Sequence, residues 1–312
     1  MMISVTGSTG FVGRSLCDCL ASAQHSVDTI SRVNESNGSE IIATYGLDNQ
    51  INWSSIPPGT RCIIHCAARV HVTNDQMMNP MVYFRRANVE ATLRLAKHAI
   101  DANVRRFIYL SSLKVYGERS PPGSPFQVDS LPNPQDPYSQ SKWEAETGLR
   151  ELARKTGLEV VIIRPPLVYG PGVKANFLSL LRAIARGTPL PLGAIHNLRS
   201  LVALDNLCDL IRVCVEHPAA AGQTFLVSDG KDVSTPDLAR AIGTALGRPA
   251  RLLPVPVSWL HLAGRLSGRV TQIERITGSL QVDIGHTMQS LGWEPRVSLQ
   301  QQLQSLAQHY RS

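Results

Sequence analysis

The stretch MISVTGSTGFVGRSL (residues 2–16) constrains the fold more than any other. A short apolar run ends in three glycines, Gly7, Gly10 and Gly13, and passes directly into a helical pattern. Spacing of three and three suits a tight turn, a backbone bare enough for a ligand to approach, and a helix packed closely on the preceding strand. A helix starting there aims unpaired N–H groups and its positive dipole end at whatever the loop holds, which favours phosphate. A strand, glycine loop and helix in this order read as the opening of a dinucleotide-binding unit.

The same alternation continues along the chain. VDTIS (27–31), RCIIHCAA (61–68), RFIYLSS (106–112), EVVIIRP (159–165) and TFLVSD (224–229) are nearly continuous in apolarity, as parallel strands covered on both faces should be. Helical patterns lie between them, such as 91–102, where Leu93, Leu95, Ala96, Ala99 and Ile100 share a stripe. The fold class expected is α/β, a Rossmann-type doubly wound parallel sheet. After about residue 230 the texture changes. STPDLARAIGTALG (234–247) and VSLQQQLQSLAQHY (297–310) read as amphipathic helices, separated by a proline-rich, looped segment. The expected division is a dinucleotide-binding domain over 1–168 plus about 200–232, and a smaller mixed C-terminal substrate-binding lobe from about 169–199 and 233–312.

With 43% hydrophobic and 18% charged residues, the 312-residue chain has ordinary globular composition rather than that of a disordered one. Its net charge of +7 comes from scattered basic residues, with no aromatic-rich basic tract. That argues against nucleic acid and favours anionic small molecules. The six cysteines form no C-x-x-C pair and the nine histidines lack ligand spacing, so neither disulfide nor metal is expected. No charged leader precedes the first strand, and no apolar run approaches the ~20 residues that span a bilayer. A cytoplasmic protein without a membrane partner is expected.

DPYSQSKWEAE (136–146) sets Tyr138 and Lys142 four residues apart, on one face of a helix. YLSSLKVYGE (109–118) puts Ser112 at the end of a strand, where α/β proteins bind ligands. A tyrosine ordinarily titrates near pH ~10, and a neighbouring ammonium favours its phenolate. A tyrosine tuned in this way can move a proton on a substrate oxygen, which is carbonyl/alcohol chemistry with hydride exchanged with a nicotinamide. In TISRVNE (29–35), Ser31 and Arg32 stand where NAD-preferring proteins carry an acid for the ribose hydroxyls. A guanidinium there suits a 2′-phosphate, and Arg14 is a second candidate. NADPH is the expected cofactor, with NADH or NAD the alternative.

The G-x-x-G-x-x-G loop, Ser112 and the Tyr138-x-x-x-Lys142 pair together resemble the extended short-chain dehydrogenase/reductase family of nucleotide-sugar epimerases, dehydratases and reductases. The resemblance covers nearly the whole chain, and it implies that Ser112, four residues before Tyr116, is the hydroxyl that holds the substrate oxygen. It implies cofactor contacts at Gly7, Gly10, Phe11, Val12, Gly13, Arg14, Arg32, Cys66, Ala67, Ala68, Asn88, Tyr138, Lys142 and Pro165, with Lys142 on the nicotinamide ribose. RPPLVYGPGVKANF (164–177) supplies Asn176, and the segments 189–211 and 274–283 supply Arg199 and Arg275. These match the family's sugar and diphosphate contacts, beside Ser112 and Lys114. Dehydratases of the family carry an acid pair just after the catalytic hydroxyl; Leu113 and Lys114 stand there instead, which argues against elimination of water. HCAARVHV, SSLKVYGE and DPYSQSKWEAE are similar to the bacterial O-antigen branch that reduces UDP-2-acetamido-2,6-dideoxy-4-hexulose at C4. That likeness implies an NADPH-dependent UDP-sugar 4-ketoreductase making UDP-N-acetylquinovosamine or UDP-N-acetylfucosamine, and a homodimer. Ala91, Tyr116 and Ser139 depart from the branch's usual residues. A UDP-sugar 4-epimerase holding NAD tightly, and a non-catalytic nucleotide sensor, are the other readings.

Overall fold

Each of the six apolar runs becomes a strand of one sheet. In chain order the strands are β1 (Met2–Thr6), β2 (Ser26–Ile30), β3 (Arg32–Val33), β4 (Asn52–Trp53), β5 (Cys62–His65), β6 (Arg106–Leu110), β7 (Glu159–Arg164), β8 (Leu167–Tyr169), β9 (Leu201–Ala203) and β10 (Thr224–Leu226). The computed structural model describes residues 1–33, 52–70, 79–121 and 123–311. The large sheet runs β10-β7-β6-β5-β1-β2, all parallel. The chain leaves β1 toward β2, then crosses back to β5 on the other side. The strand order therefore reverses between β1 and β5, and the crevice beyond their carboxyl ends is where a doubly wound sheet takes its ligand.

Alternate residues of these strands feed two cores, one on each face. Ile3, Val5, Ile64, Ile108, Val161, Ile163 and Phe225 pack with α1 (Phe11–Ser22) and, after it in the chain, the helix Leu204–Glu216. Ile30, Ile63, Phe107, Tyr109, Val160 and Ile162 pack on the opposite side, under the helices that cross over between β5 and β7. Burial on both faces is why these strands carry no polar alternation. The first crossover is α2 (Pro80–Arg85), a π-turn over Arg86–Glu90, and α3 (Ala91–Asp101), where the sequence pattern marked only the last part. The second is α4 (Pro137–Thr156).

The remaining helices are α5 (Ala175–Ala185), α6 (Leu204–Glu216), α7 (Thr235–Leu246), α8 (Val257–Leu266), α9 (Val270–Thr277), α10 (Gly285–Leu291) and α11 (Leu299–Arg311). Helix α7 starts and stops as its sequence requires: the Ser234 hydroxyl accepts from Asp237 N–H at 3.1 Å, and Gly247 ends it at φ 68°. With α5, α11, β8 and β9 it encloses a separate core around Tyr169, Phe177, Leu181, Leu238, Ile242 and Leu303. The segment expected to be looped holds three helices, α8 to α10. No helix among the described residues is long and apolar enough to cross a membrane.

Candidate active site

Two loops meet at the reversal point. Gly7 takes φ 69°, and a side chain there would place Cβ 2.8 Å from the Ala67 nitrogen. Gly13 is tighter still, since a Cβ would lie 2.1 Å from the Gly7 carbonyl oxygen. The β1–α1 loop can fold back on α1 and against Cys66–Ala68 only with glycine at these positions. The Ala67 N–H donates to Thr6 Oγ1 at 3.2 Å, which ties the loop after β5 to the end of β1. Helix α1 begins at Gly10 without a side-chain cap and without an acid in its first turn. Its first N–H groups therefore point, uncapped, into the crevice beside Phe11, Val12 and Gly13, an arrangement suited to a pyrophosphate. Arg14 is exposed on that same turn. The Arg32 backbone pairs with Trp53 across the β3–β4 ladder, but its side chain lies outside the described residues.

Asn88, expected at a cofactor, is buried and acts as a brace. Its Oδ1 accepts from Arg69 N–H at 2.8 Å, and its Nδ2 donates to the Arg69 carbonyl at 3.1 Å and to Ser141 Oγ at 2.9 Å. Ser141 Oγ in turn donates to the Tyr138 carbonyl at 2.7 Å. One amide thus links the loop after Ala68 to the first turn of α4. Pro165, also buried, accepts from Leu113 N–H at 2.9 Å and holds the loop after β7 against the turn that carries Ser112.

Helix α4 begins with a built cap. Asp136 Oδ1 accepts from Ser139 N–H at 2.7 Å, Ser139 Oγ lies 3.1 Å from the Asp136 N–H, and Pro137 occupies the first helical position. Tyr138 therefore sits in the first turn with its position determined by the cap, its ring edge-on to Phe84. Ser112 caps the short 3₁₀ turn Leu113–Tyr116 by accepting from Lys114 N–H at 3.2 Å. Its hydroxyl also pairs with the Tyr138 phenol. Ser112 and Tyr138, 26 residues apart, face each other as their order implied. Burial raises the Tyr138 phenol above its ordinary value and the Asp136 carboxylate adds to this, while Ser112 opposes it.

Lys142 is 2% exposed and lies one turn further along α4. Its Nζ donates to the Leu110 carbonyl at 2.8 Å and stands 4.4 Å from the Tyr109 ring centre. The spacing implied an ammonium applied to Tyr138; the described hydrogen bond goes to the end of β6 instead. Burial lowers Lys142 to about 7, against the nearby Cys66 and Glu146, which raise it.

The next residue on this face, Glu146, was not expected. It is fully buried and accepts from Ser111 Oγ at 2.5 Å and from Arg164 Nε at 2.9 Å. A second Arg164 nitrogen pairs with Glu146 Oε2, which also receives Arg150 at 2.9 Å. Arg164 reaches on to the Tyr116 hydroxyl, and that hydroxyl donates to the Val128 carbonyl at 2.9 Å. Tyr138, Lys142 and Glu146 stand at i, i+4 and i+8, so one helix face holds the acid candidate, the buried amine and the buried carboxylate.

The expected substrate residues fall into two groups. Lys114 Nζ donates to Glu118 at 2.8 Å and to Asp136 at 2.9 Å, and Arg275 meets Glu118 at 2.9 Å. For both acids burial works upward, but the bonded cations and, at Asp136, the Ser139 N–H hold them below their ordinary values. Arg199 pairs with neither of these acids. Its Nη1 donates to the carbonyls of Arg275 at 2.7 Å and Gly278 at 3.0 Å, and burial lowers its pKa. Arg199 is thus tied to Arg275 through its carbonyl, and Arg275 and Lys114 share the Glu118 carboxylate. Asn176 is exposed at the start of α5, beside Ala175 at φ 54°. Leu113 is buried and Lys114 is ion-paired, so neither supplies an acid for elimination. Among the described residues no group of His, Cys, Asp or Glu could hold a metal.

Residues 3–228 match the family described as NAD dependent epimerase/dehydratase. The chain belongs to that family. It is 46% identical to a UDP-glucose 4-epimerase of Vibrio cholerae, over 99% of this chain and 95% of that one. Among solved structures it resembles the UDP-N-acetylglucosamine 4-epimerase of Bacillus cereus, with a TM-score of 0.77 at 19% identity and 100% of both chains covered. It also resembles RMD of Pseudomonas aeruginosa complexed with NADPH, with a TM-score of 0.75 at 21% identity, again covering 100% of both chains. As a member of the epimerase/dehydratase family it shares their fold, and the Rossmann-type architecture read from the strand pattern is the one observed.

Proposed function

We propose that this protein is a UDP-sugar 4-epimerase that works by transient oxidation at C4 and uses a tightly held NAD. The observation that carries the reading is the 46% identity to the Vibrio cholerae UDP-glucose 4-epimerase across essentially the full length of both chains. The geometry supports it. The Gly7–Gly13 loop, the uncapped N-terminus of α1 and the Cys66–Ala68 loop suit the pyrophosphate and adjoining riboses, and Lys142 the nicotinamide ribose. The nicotinamide, when bound, supplies a reversible hydride acceptor.

The chain's own residues then handle the oxygen. Ser112 orients the C4 hydroxyl, and Tyr138 takes its proton as the alcohol becomes a ketone, then returns it when the ketone is reduced from the opposite face. Tyr138 lies above its ordinary value without ligand. Added positive charge beside it, with a proton on Lys142, would bring the phenolate within reach. Arg199 and Arg275 would hold the diphosphate, and Asn176 and Lys114 would contact the sugar. In this division 1–168 with about 200–232 bind the cofactor, and 169–199 with 233–312 bind the nucleotide sugar.

One sequence observation favours a second reading, the NADPH-dependent 4-ketoreductase: Arg32 stands where an acid would hold the ribose hydroxyls of NAD. One experiment separates them. Incubation with UDP-glucose or UDP-N-acetylglucosamine should yield the C4 epimer, followed by NMR, with no net consumption of cofactor. Stoichiometric oxidation of NADPH by UDP-4-keto-6-deoxy-N-acetylglucosamine, with no epimerisation of either UDP-sugar, overturns the epimerase.

A further inference from the structure

Helix α8 is apolar on two sides. Its inner side, with Leu260 and Gly264, packs on Leu192, Ile195 and Ile273. Its outer side carries Trp259, Leu262 and Leu266, which are 70%, 57% and 82% exposed. Spacing of three and seven puts all three on one stripe. Leu253, 48% exposed just ahead of the helix, adds to the apolar surface. Ser258, His261 and Arg265 line the third side, so the exposed stripe is a second apolar face on a helix already packed on its inner one. Here the outer half faces solvent.

Charge identifies what covers it. From Arg248 to Ile273 the chain holds four arginines and no lysine, aspartate or glutamate. Those 26 of 312 residues carry +4 of the net +7. Arg251, Arg265 and Arg269 are exposed and bracket the apolar stripe. Tryptophan and leucine on one face with arginines at its margins make a helix that lies in the plane of an anionic bilayer. A second copy of the chain suits this face poorly, because it would bring the same +4 against itself.

We propose that α8 docks this protein peripherally on an anionic lipid surface. Trp259, Leu262 and Leu266 enter the boundary between headgroups and acyl chains, and Arg251, Arg265 and Arg269 lie over the lipid phosphates. The expectation of no membrane partner rested on the lack of a spanning run, and a helix lying on the surface needs none. Docking would also orient the candidate site. Helix α9 packs on α8 and carries Arg275, whose carbonyl accepts from Arg199. The two arginines proposed for the diphosphate are therefore one helix away from the membrane face. The proposal holds whichever sugar reaction the site performs.

The test is co-sedimentation of the full chain with large vesicles of phosphatidylglycerol and phosphatidylcholine, compared with phosphatidylcholine alone, alongside tryptophan emission. Trp53 and Trp293 are buried and Trp143 is half-buried, so a blue shift reports chiefly Trp259. Binding to the anionic vesicles with a blue shift, weakened by salt, is expected. Leu262→Glu/Leu266→Glu should bind at least about tenfold more weakly. Arg265→Glu/Arg269→Glu should lose the preference for anionic lipid. Both variants should turn over soluble nucleotide sugar as the parent does. Absence of binding to anionic vesicles, or equal binding by parent and Leu262→Glu/Leu266→Glu, overturns the proposal. So does a concentration-dependent dimer that the leucine variant loses while vesicles bind neither protein, since the face would then join two copies of this chain.

Discussion

Glu146→Gln probes the buried pair behind the catalytic candidates. Glu146 is 0% and Arg164 2% exposed, so neither charge has water to fall back on. Glutamine keeps the shape and can still accept from Ser111, but it leaves the Arg164 guanidinium buried without its counter-charge. Breaking one partner of such a pair costs about 3–5 kcal/mol. At about 2.1 cal/mol/K per residue, the unfolding entropy of a 312-residue chain is about 0.65 kcal/mol/K, so Tm should fall by about 5–8 °C. Scanning calorimetry at constant pH, without cofactor, measures this. A double variant, Glu146→Gln/Arg164→Met, should be no less stable than the single one, because the uncompensated charge has gone. Function should respond as well. The Glu146 carboxylate raises Lys142, so its removal should let Lys142 lose its proton at lower pH, and the alkaline limb of turnover should move down with it. A Tm drop under about 2 °C, or a double variant less stable than Glu146→Gln alone, would refute the argument that an unpaired buried charge is at stake.

Tyr138→Phe removes the hydroxyl that carries the proton, so kcat should fall by about a hundred- to ten-thousand-fold while cofactor affinity, measured by calorimetry, holds. Gly13→Ala would drive a Cβ to 2.1 Å from the Gly7 carbonyl, so the loop must open. Cofactor binding should weaken by at least about tenfold, with circular dichroism confirming the fold. Lys142 sits below its unfolded value, at about 7 rather than 10.5, so the unfolded chain binds the extra proton between those limits. Its burial cost is therefore present in full below pH 7 and relieved as pH rises from about 7 toward 10.5. The stability of Lys142→Met relative to the parent should decline across that window in thermal melts without cofactor, and a flat difference would count against the buried amine.

The features legible in the sequence share one property: they are written over a few neighbouring residues. Parallel strands buried on both faces show as continuous apolar runs, and all six were found, with their ends trimmed where the chain turns into the loops of the site. The Tyr138–Lys142 pair and the glycine loop are equally local. Glu146 lay in plain view one turn beyond Lys142, yet its partner Arg164 is 18 residues away and Tyr116 is 48 residues from Arg164, joined only once β6 and β7 pair. Tyr116 stood out only as a departure from the resembled branch, and the structure gives it the Arg164 hydrogen bond. The ion pairs of Lys114 were not legible either, because Glu118 and Asp136 meet it only in the folded loop. Helix α8 escaped for another reason. It lies in a proline-rich stretch, with Pro254 and Pro256 directly before it, so the segment read as a loop. Once formed, the helix packs Leu260 and Gly264 inward and leaves Trp259, Leu262 and Leu266 in solvent. That outward stripe is what calls for a second apolar phase to cover it.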